Sequence, residues 1–271
     1  MTEPAATVAG SSAPARGRNI FEAEGVFKRF GGINAVNGAT MDVREGSITA
    51  LIGPNGAGKT TFFNLITCFY KADRGRVEFQ GRSVAGKPPY AIARLGMVRT
   101  FQITKALSAM PVIDNMMLAA PDQPGEQLRN VILRPRASRR REREVRKQAI
   151  DLLEIFNLTK LADSYAGTLS GGQRKLLELA RALMTRPSFL LLDEPMAGIN
   201  PTLGRTLLDH MQTLRREDGV TFLFVEHNME VVMNHSDRVI VMAEGRVIAD
   251  GEPHEVRSDA KVIDAYLGGA R

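Results

Sequence analysis

Apolar residues along this chain come in short unbroken runs rather than long stripes. Ile48 to Ile52, Phe189 to Leu192 and Thr221 to Val225 are four or five residues long and rich in Ile, Leu, Val and Phe. Runs of that length without polar alternation read as strands buried on both faces, as in a parallel sheet. Segments of helical character separate them, including one from Gly171 to Arg186-Pro187. Strands alternating with helices predict a mainly parallel α/β fold. From Ile20 to about Ile52 the pattern is short strands broken at Gly31-Gly32 and Glu45-Gly46, and helix-like segments fill about Ile103 to Ala166. A hairpin is expected for Arg238 to Ala243 and Arg246 to Ala249, turned at Glu244-Gly245. Residues 1–18, dominated by Ala, Pro, Ser, Thr and Gly, read as a disordered tail.

Two of the buried runs end in candidate chemistry. After Ile52 comes Gly53-Pro54-Asn55-Gly56-Ala57-Gly58-Lys59-Thr60, followed by Thr61 and a helix. A glycine loop between a buried strand and a helix turns backbone N–H groups inward at phosphate oxygens, and the helix N-terminus adds partial positive charge. Lys59 brings a full charge to the β- and γ-phosphates, and the Thr60 hydroxyl is placed to ligate Mg²⁺. The run Phe189 to Leu192 ends in Asp193-Glu194-Pro195. A buried strand carries a carboxylate only where it emerges, because an unpaired buried charge is costly. Asp193 is thus the candidate metal carboxylate. Glu194, one residue on, points elsewhere and is the candidate base that polarises water for attack on the γ-phosphate.

Composition narrows the class. With 271 residues, 44% of them hydrophobic, the chain can bury a large core. A single cysteine, Cys68, excludes an internal disulfide and fits a reducing cytoplasm. No apolar run approaches the roughly 20 residues that cross a bilayer, and no signal-peptide core is present at the N-terminus. The net charge of +6 is local. Arg134 to Lys147 holds eight basic residues and two acidic ones, which accounts for the whole excess. A nucleic-acid-binding coat is therefore not expected. The basic segment reads either as a solvated helix face or as a surface near anionic lipid.

Leu169-Ser170-Gly171-Gly172-Gln173 precedes a helix, with Ser170 as its N-cap. Alone this is a capped helix or an anion site. Together with the glycine loop and Asp193-Glu194 it resembles the ATPases of ABC transporters, and the resemblance spans nearly the whole chain from about Ile20. It implies a P-loop NTPase of the ABC ATPase fold over residues 19–271, with a mainly parallel core sheet, an N-terminal antiparallel β subdomain and a helical subdomain at about 103–168. It implies ATP as substrate and Mg²⁺ as its ion. Two subunits would sandwich two ATP molecules, so that Ser170, Gly171, Gly172 and Gln173 act on the nucleotide held by the partner's loop. By position, Gln102 matches the glutamine that senses Mg²⁺ and the attacking water. His227 matches the histidine that contacts the γ-phosphate, and Phe30 the aromatic that stacks on adenine.

Other strings narrow the resemblance to ATPases of branched-chain amino-acid importers: Phe30-Gly31-Gly32-Ile33-Asn34-Ala35-Val36, Glu226-His227-Asn228-Met229, Ala265-Tyr266-Leu267-Gly268, and Asn200 where many members carry an acid. ATPases of related importers for urea or short amides share these features, as in part do ATPases of lipopolysaccharide export. ABC ATPases that act on DNA or ribosomes carry coiled-coil insertions or fused second units, which this chain lacks. The implied partners are transmembrane permease subunits, a second ATPase subunit (a copy or a paralogue) and, indirectly, a periplasmic or extracellular solute-binding protein. The implied location is the cytoplasmic face of the cell membrane. The stretch with Leu107, Met110, Val112, Met116 and Met117 reads either as a docking surface for the permease or as core of the helical subdomain.

Overall fold

The computed structural model describes residues 17–100, 108–121 and 135–267. Three apolar runs form parallel strands: β3 (Ile48–Ile52), β7 (Phe189–Asp193) and β8 (Thr221–Val225). They are joined by β6 (Met97–Arg99), β9 (Arg238–Ala243) and β10 (Arg246–Gly251) in the order β10-β9-β3-β8-β7-β6. All neighbours are parallel except β9 and β10, which form the expected hairpin, two residues longer than the sequence indicates.

Both faces of this sheet are covered, which explains why its strands carry no polar alternation. Ala50, Leu190, Phe222 and Val239 face one core; their neighbours Leu51, Leu191, Leu223 and Ile240 face the other. The first core is completed by α3 (Val112–Leu118), α4 (Pro135–Ile155), α5 (Gly171–Met184) and α6 (Pro201–Asp218). The second is closed by α1 (Lys59–Ile66), through Phe62 and Phe63, by α2 (Pro89–Arg94), through Ile92, and by a separate antiparallel sheet.

That antiparallel sheet is built from β1 (Asn19–Phe30), β2 (Ile33–Arg44), β4 (Arg74–Phe79) and the short β5 (Arg82–Ser83). The short strands expected before Ile48 are in fact two of 12 residues each, turning at Gly31-Gly32. Val112 and Met116 are fully buried in the first core, and Met117 packs against it, so the helical core reading holds for them. Leu107 lies outside the described residues, as do residues 1–16 of the expected tail.

In α4 the buried positions are Val145, Ala149 and Leu153, one apolar stripe at i, i+4, i+8. Arg139, Arg140, Arg143, Arg146 and Lys147 point to solvent on the other faces. Arg141 instead donates to the Pro121 carbonyl at 3.0 Å. No helix among the described residues is long and apolar enough to cross a membrane.

Candidate nucleotide site

The carboxyl ends of β3, β8 and β7, three adjacent parallel strands, open onto one edge of the sheet. That edge is where open α/β sheets bind ligands. The glycine loop follows β3, Glu226-His227 follows β8, and Asp193-Glu194 ends β7. The segment after β6, pairing with β7, leads to Gln102, which lies outside the described residues.

The loop from Gly53 to Gly58 ends on the N-terminus of α1. Gly58 takes a left-handed φ of 95°, and a Cβ there would meet the Ala35 carbonyl oxygen at 2.3 Å, so only glycine fits. Lys59 is 6% exposed. Its Nζ donates to the carbonyls of Gly53 (2.7 Å) and Pro54 (3.0 Å). Burial pushes the Lys59 ammonium below its ordinary pKa, and the charges of Glu194 and Asp193 oppose that shift. Among the described residues no carboxylate lies within ion-pairing distance of it. A desolvated ammonium with a third N–H to spare, at a helix N-terminus, fits a polyphosphate. A cleft of about 620 Å³ opens here. Asn55, Gly56, Ala57, Gly58, Lys59, Thr60 and Thr61 line it together with Glu194 and His227. Gly53 and Pro54 do not line it; their carbonyls hold Lys59.

The two acids have different partners. Asp193 pairs through Oδ2 with Arg99 at 2.7 Å, and Arg99 also donates to Asn64 at 2.6 Å. Glu194 Oε1 lies 2.9 Å from His227 Nε2. The chain turns between them, because Glu194 takes a left-handed φ of 47°. A second cleft, of about 420 Å³, joins Thr60, Asp193 and Glu194 with Arg99, Lys175 and Glu178. The Thr60 hydroxyl and the Asp193 carboxylate are thus oxygen donors on one cleft, a small hard set of the kind Mg²⁺ uses alongside substrate phosphates.

Ser170 caps α5 as expected. Its hydroxyl accepts from the Gln173 N–H at 3.2 Å, and the Gln173 side chain accepts from the Ser170 N–H at 2.9 Å. This capping box contributes about 1 kcal/mol. Gly172 is fixed by contact: a Cβ would meet Leu203 Cδ2 at 2.5 Å and Ile199 Cγ2 at 2.7 Å. Ser170, Gly171, Gly172 and Gln173 line neither cleft. Phe30 is half-exposed at the end of β1, edge-on to Tyr70 at 5.4 Å. It does not line the cleft either, although its hairpin partner Ile33 does.

Several groups at the site carried no assignment from sequence. Arg99, Lys175 and Glu178 reach it from elements whose packing only the fold supplies. Glu226 is 4% exposed, and its carboxylate accepts the N–H groups of Met196 (2.7 Å) and His227 (3.2 Å), joining the loops after β7 and β8. Its adjacency to His227 was the one available signal.

Residues 36–197 match the family model described as "ABC transporter", and residues 246–271 match "Branched-chain amino acid ATP-binding cassette transporter". The chain is 43% identical over 251 residues to a probable branched-chain amino acid transport ATP-binding protein LivG of Archaeoglobus fulgidus, covering 92% of this chain and 95% of that protein. It is 43% identical over 253 residues to the high-affinity branched-chain amino acid transport ATP-binding protein BraF of Pseudomonas aeruginosa, covering 93% and 99%. Among solved structures, the ADP conformation of an ATP-binding cassette of an ABC transporter superposes with a TM-score of 0.79 at 38% identity, covering 93% of this chain and 99% of that one.

Proposed function

The chain belongs to the ABC transporter family, whose ATP-binding domains hydrolyse ATP to power transport, and from that premise we propose that it is the ATPase subunit of an importer for branched-chain amino acids. The observation that carries the reading is that Lys59, Glu194 and His227 face one cleft at the ends of three adjacent strands. Lys59 and the loop N–H groups from Asn55 to Thr61 hold the triphosphate, and Phe30 stacks on the adenine. Thr60 and Asp193 would hold a magnesium ion, which would neutralise phosphate charge, and the family resemblance assigns Gln102 to sensing that ion.

Glu194 is the general base. It takes a proton from water as the water oxygen bonds to the γ-phosphorus, and the bond from that phosphorus to the β–γ bridging oxygen breaks to release ADP. His227 orients the Glu194 carboxylate through the 2.9 Å contact and meets the γ-phosphate.

Residues 19–271 form one ABC ATPase domain with a helical part at about 103–168. The ATPase works as a pair, with a copy or a paralogue, at the cytoplasmic face of the membrane. There it docks on transmembrane permease subunits, and a solute-binding protein acts through those subunits. Support for the solute comes from the names of its relatives and from the match at residues 246–271. The test is reconstitution in proteoliposomes with the membrane subunits that copurify with it. ATP-driven uptake of leucine, isoleucine or valine is expected. Uptake of another solute, with none of these three transported, would refute the assignment.

A further inference from the structure

We propose that Lys175 is a positioning residue for Glu194, tying the helix that carries Ser170 and Gly171 to the backbone that aims the water-activating carboxylate of the same chain. The inference rests on reading Glu194 as the base.

Lys175 Nζ donates to the Glu194 main-chain carbonyl at 2.8 Å, in a partly buried position. The bond goes to a peptide oxygen and not to a carboxylate, so it directs the backbone and leaves the Glu194 side chain free for chemistry. That backbone needs direction. Glu194 has a φ of 47°, a region that non-glycine residues occupy only where their surroundings over-determine it. Three hydrogen bonds hold the peptide units flanking it. Its N–H donates to the Val225 carbonyl (3.0 Å), and its carbonyl accepts from the Ala197 N–H (3.1 Å) and from Lys175. The first two come from the neighbouring strand and from Glu194's own turn. Only Lys175 reaches it from α5. Relaxation to an ordinary negative φ would swing the Glu194 Cβ and carry the carboxylate away from His227.

A second contact couples the same helix to the same loop. Gly172 is pressed against Ile199 and Leu203, which follow Glu194 in the chain. The exposed N-terminus of α5, with Ser170 and Gly171, lines neither cleft of its own chain, so it is free to meet a nucleotide held elsewhere. Displacement of that end is passed within two helical turns to the Glu194 carbonyl.

The experiment compares Lys175→Met and Lys175→Arg, each with Glu194 intact and in a Glu194→Gln background. Steady-state ATPase kinetics, nucleotide affinity and thermal melting are measured on each. Lys175→Met is expected to lower kcat about 10- to 100-fold, the scale of a small misplacement of a catalytic group. The KM for ATP and the melting temperature should stay close to those of the parent. Lys175→Arg, which keeps a cationic donor, should recover much of the loss. In the Glu194→Gln background Lys175→Met should cost nothing further, because it acts through the group already removed. Unchanged kcat in Lys175→Met, or an equal loss in both backgrounds, or a loss that follows melting temperature, would overturn the proposal. Wild-type turnover by Glu194→Gln alone would overturn the reading beneath it, and that outcome is seen without any Lys175 variant.

Discussion

His227 Nε2 and Glu194 Oε1 meet at 2.9 Å although they leave different strands, β8 and β7, and both side chains remain nearly half exposed on the same cleft. An exposed pair of this kind contributes little to stability, so its consequence is for chemistry. Glu194→Gln should retain ATP binding and slow hydrolysis by roughly 10²–10⁴-fold. His227→Ala, which removes the group proposed to meet the γ-phosphate, should cost about 10²-fold in kcat. Both are read by phosphate release at saturating ATP with Mg²⁺, beside equilibrium binding of nucleotide. Near-parental turnover in Glu194→Gln would strip that residue of its role.

The separation of Ser170 and Gly171 from the cleft of their own chain bears on assembly. Neither Lys59→Ala nor Ser170→Arg should hydrolyse ATP well as a homodimer. A mixture of the two should recover part of the activity, since each hybrid dimer contains one site with both motifs intact. Hybrids demonstrated by differential tagging that remain inactive would argue against action in trans.

Arg238 bridges three parts of the fold. Its guanidinium donates to Asp42 on β2 and to Asp250 on β10 from its own place on β9, and these carboxylates hold it above its ordinary pKa against the cost of burial. The Arg238 hydrogen bond in turn holds Asp42 below the usual aspartate value. Arg238→Met should destabilise by about 2–3 kcal/mol, less than a fully buried pair because the two carboxylates are about one third exposed and screened. The Asp42 contribution is present above the unfolded pKa of about 3.9 and is lost as pH falls through the lower folded value. Urea unfolding should therefore show a gap between parent and variant that is full at pH 6 and narrows toward pH 3.

Glu178 shows the opposite sign. Burial raises its carboxyl to about 7, with Lys175 and Arg181 only partly offsetting the cost of charge. The folded protein therefore holds a proton that the unfolded chain releases near pH 4.3. The stabilisation is full below that pH and is lost as pH rises through about 7. Glu178→Gln should match the parent near pH 4.5 and exceed it at pH 8 by up to about 3 kcal/mol. Parallel stability curves for the two proteins from pH 4.5 to 8 would contradict a buried, protonated Glu178.

The central sheet, and the placing of Lys59, Asp193 and Glu194 at strand ends, were legible in the chain's own pattern, for a physical reason that operates locally. Strands covered on both faces must be apolar throughout, so Ile48–Ile52, Phe189–Leu192 and Thr221–Val225 declare themselves. A phosphate loop needs its glycines and Lys59 at fixed spacing, and a buried strand can show Asp193 and Glu194 only where it emerges. The α5 cap was legible for the same reason, since Ser170 and Gln173 serve backbone groups within one turn. Beyond that reach the pattern lost its hold. β1 and β2 looked like short strands because bulges and exposed polar residues interrupt their alternation, and only pairing across the sheet shows their full 12-residue length. Val112 and Met116 were equally good as core or docking surface until α4 and α5 covered them. The partners of Asp193 and of the Glu194 carbonyl, Arg99 and Lys175, stand 94 and 19 residues away in the chain. A side chain's hydrogen bond to a distant carboxylate or peptide oxygen leaves no periodicity and demands no particular neighbour. Such bonds exist only once β6 lies beside β7 and α5 packs on the sheet, and so the tertiary structure alone decided how the two acids are held and aimed.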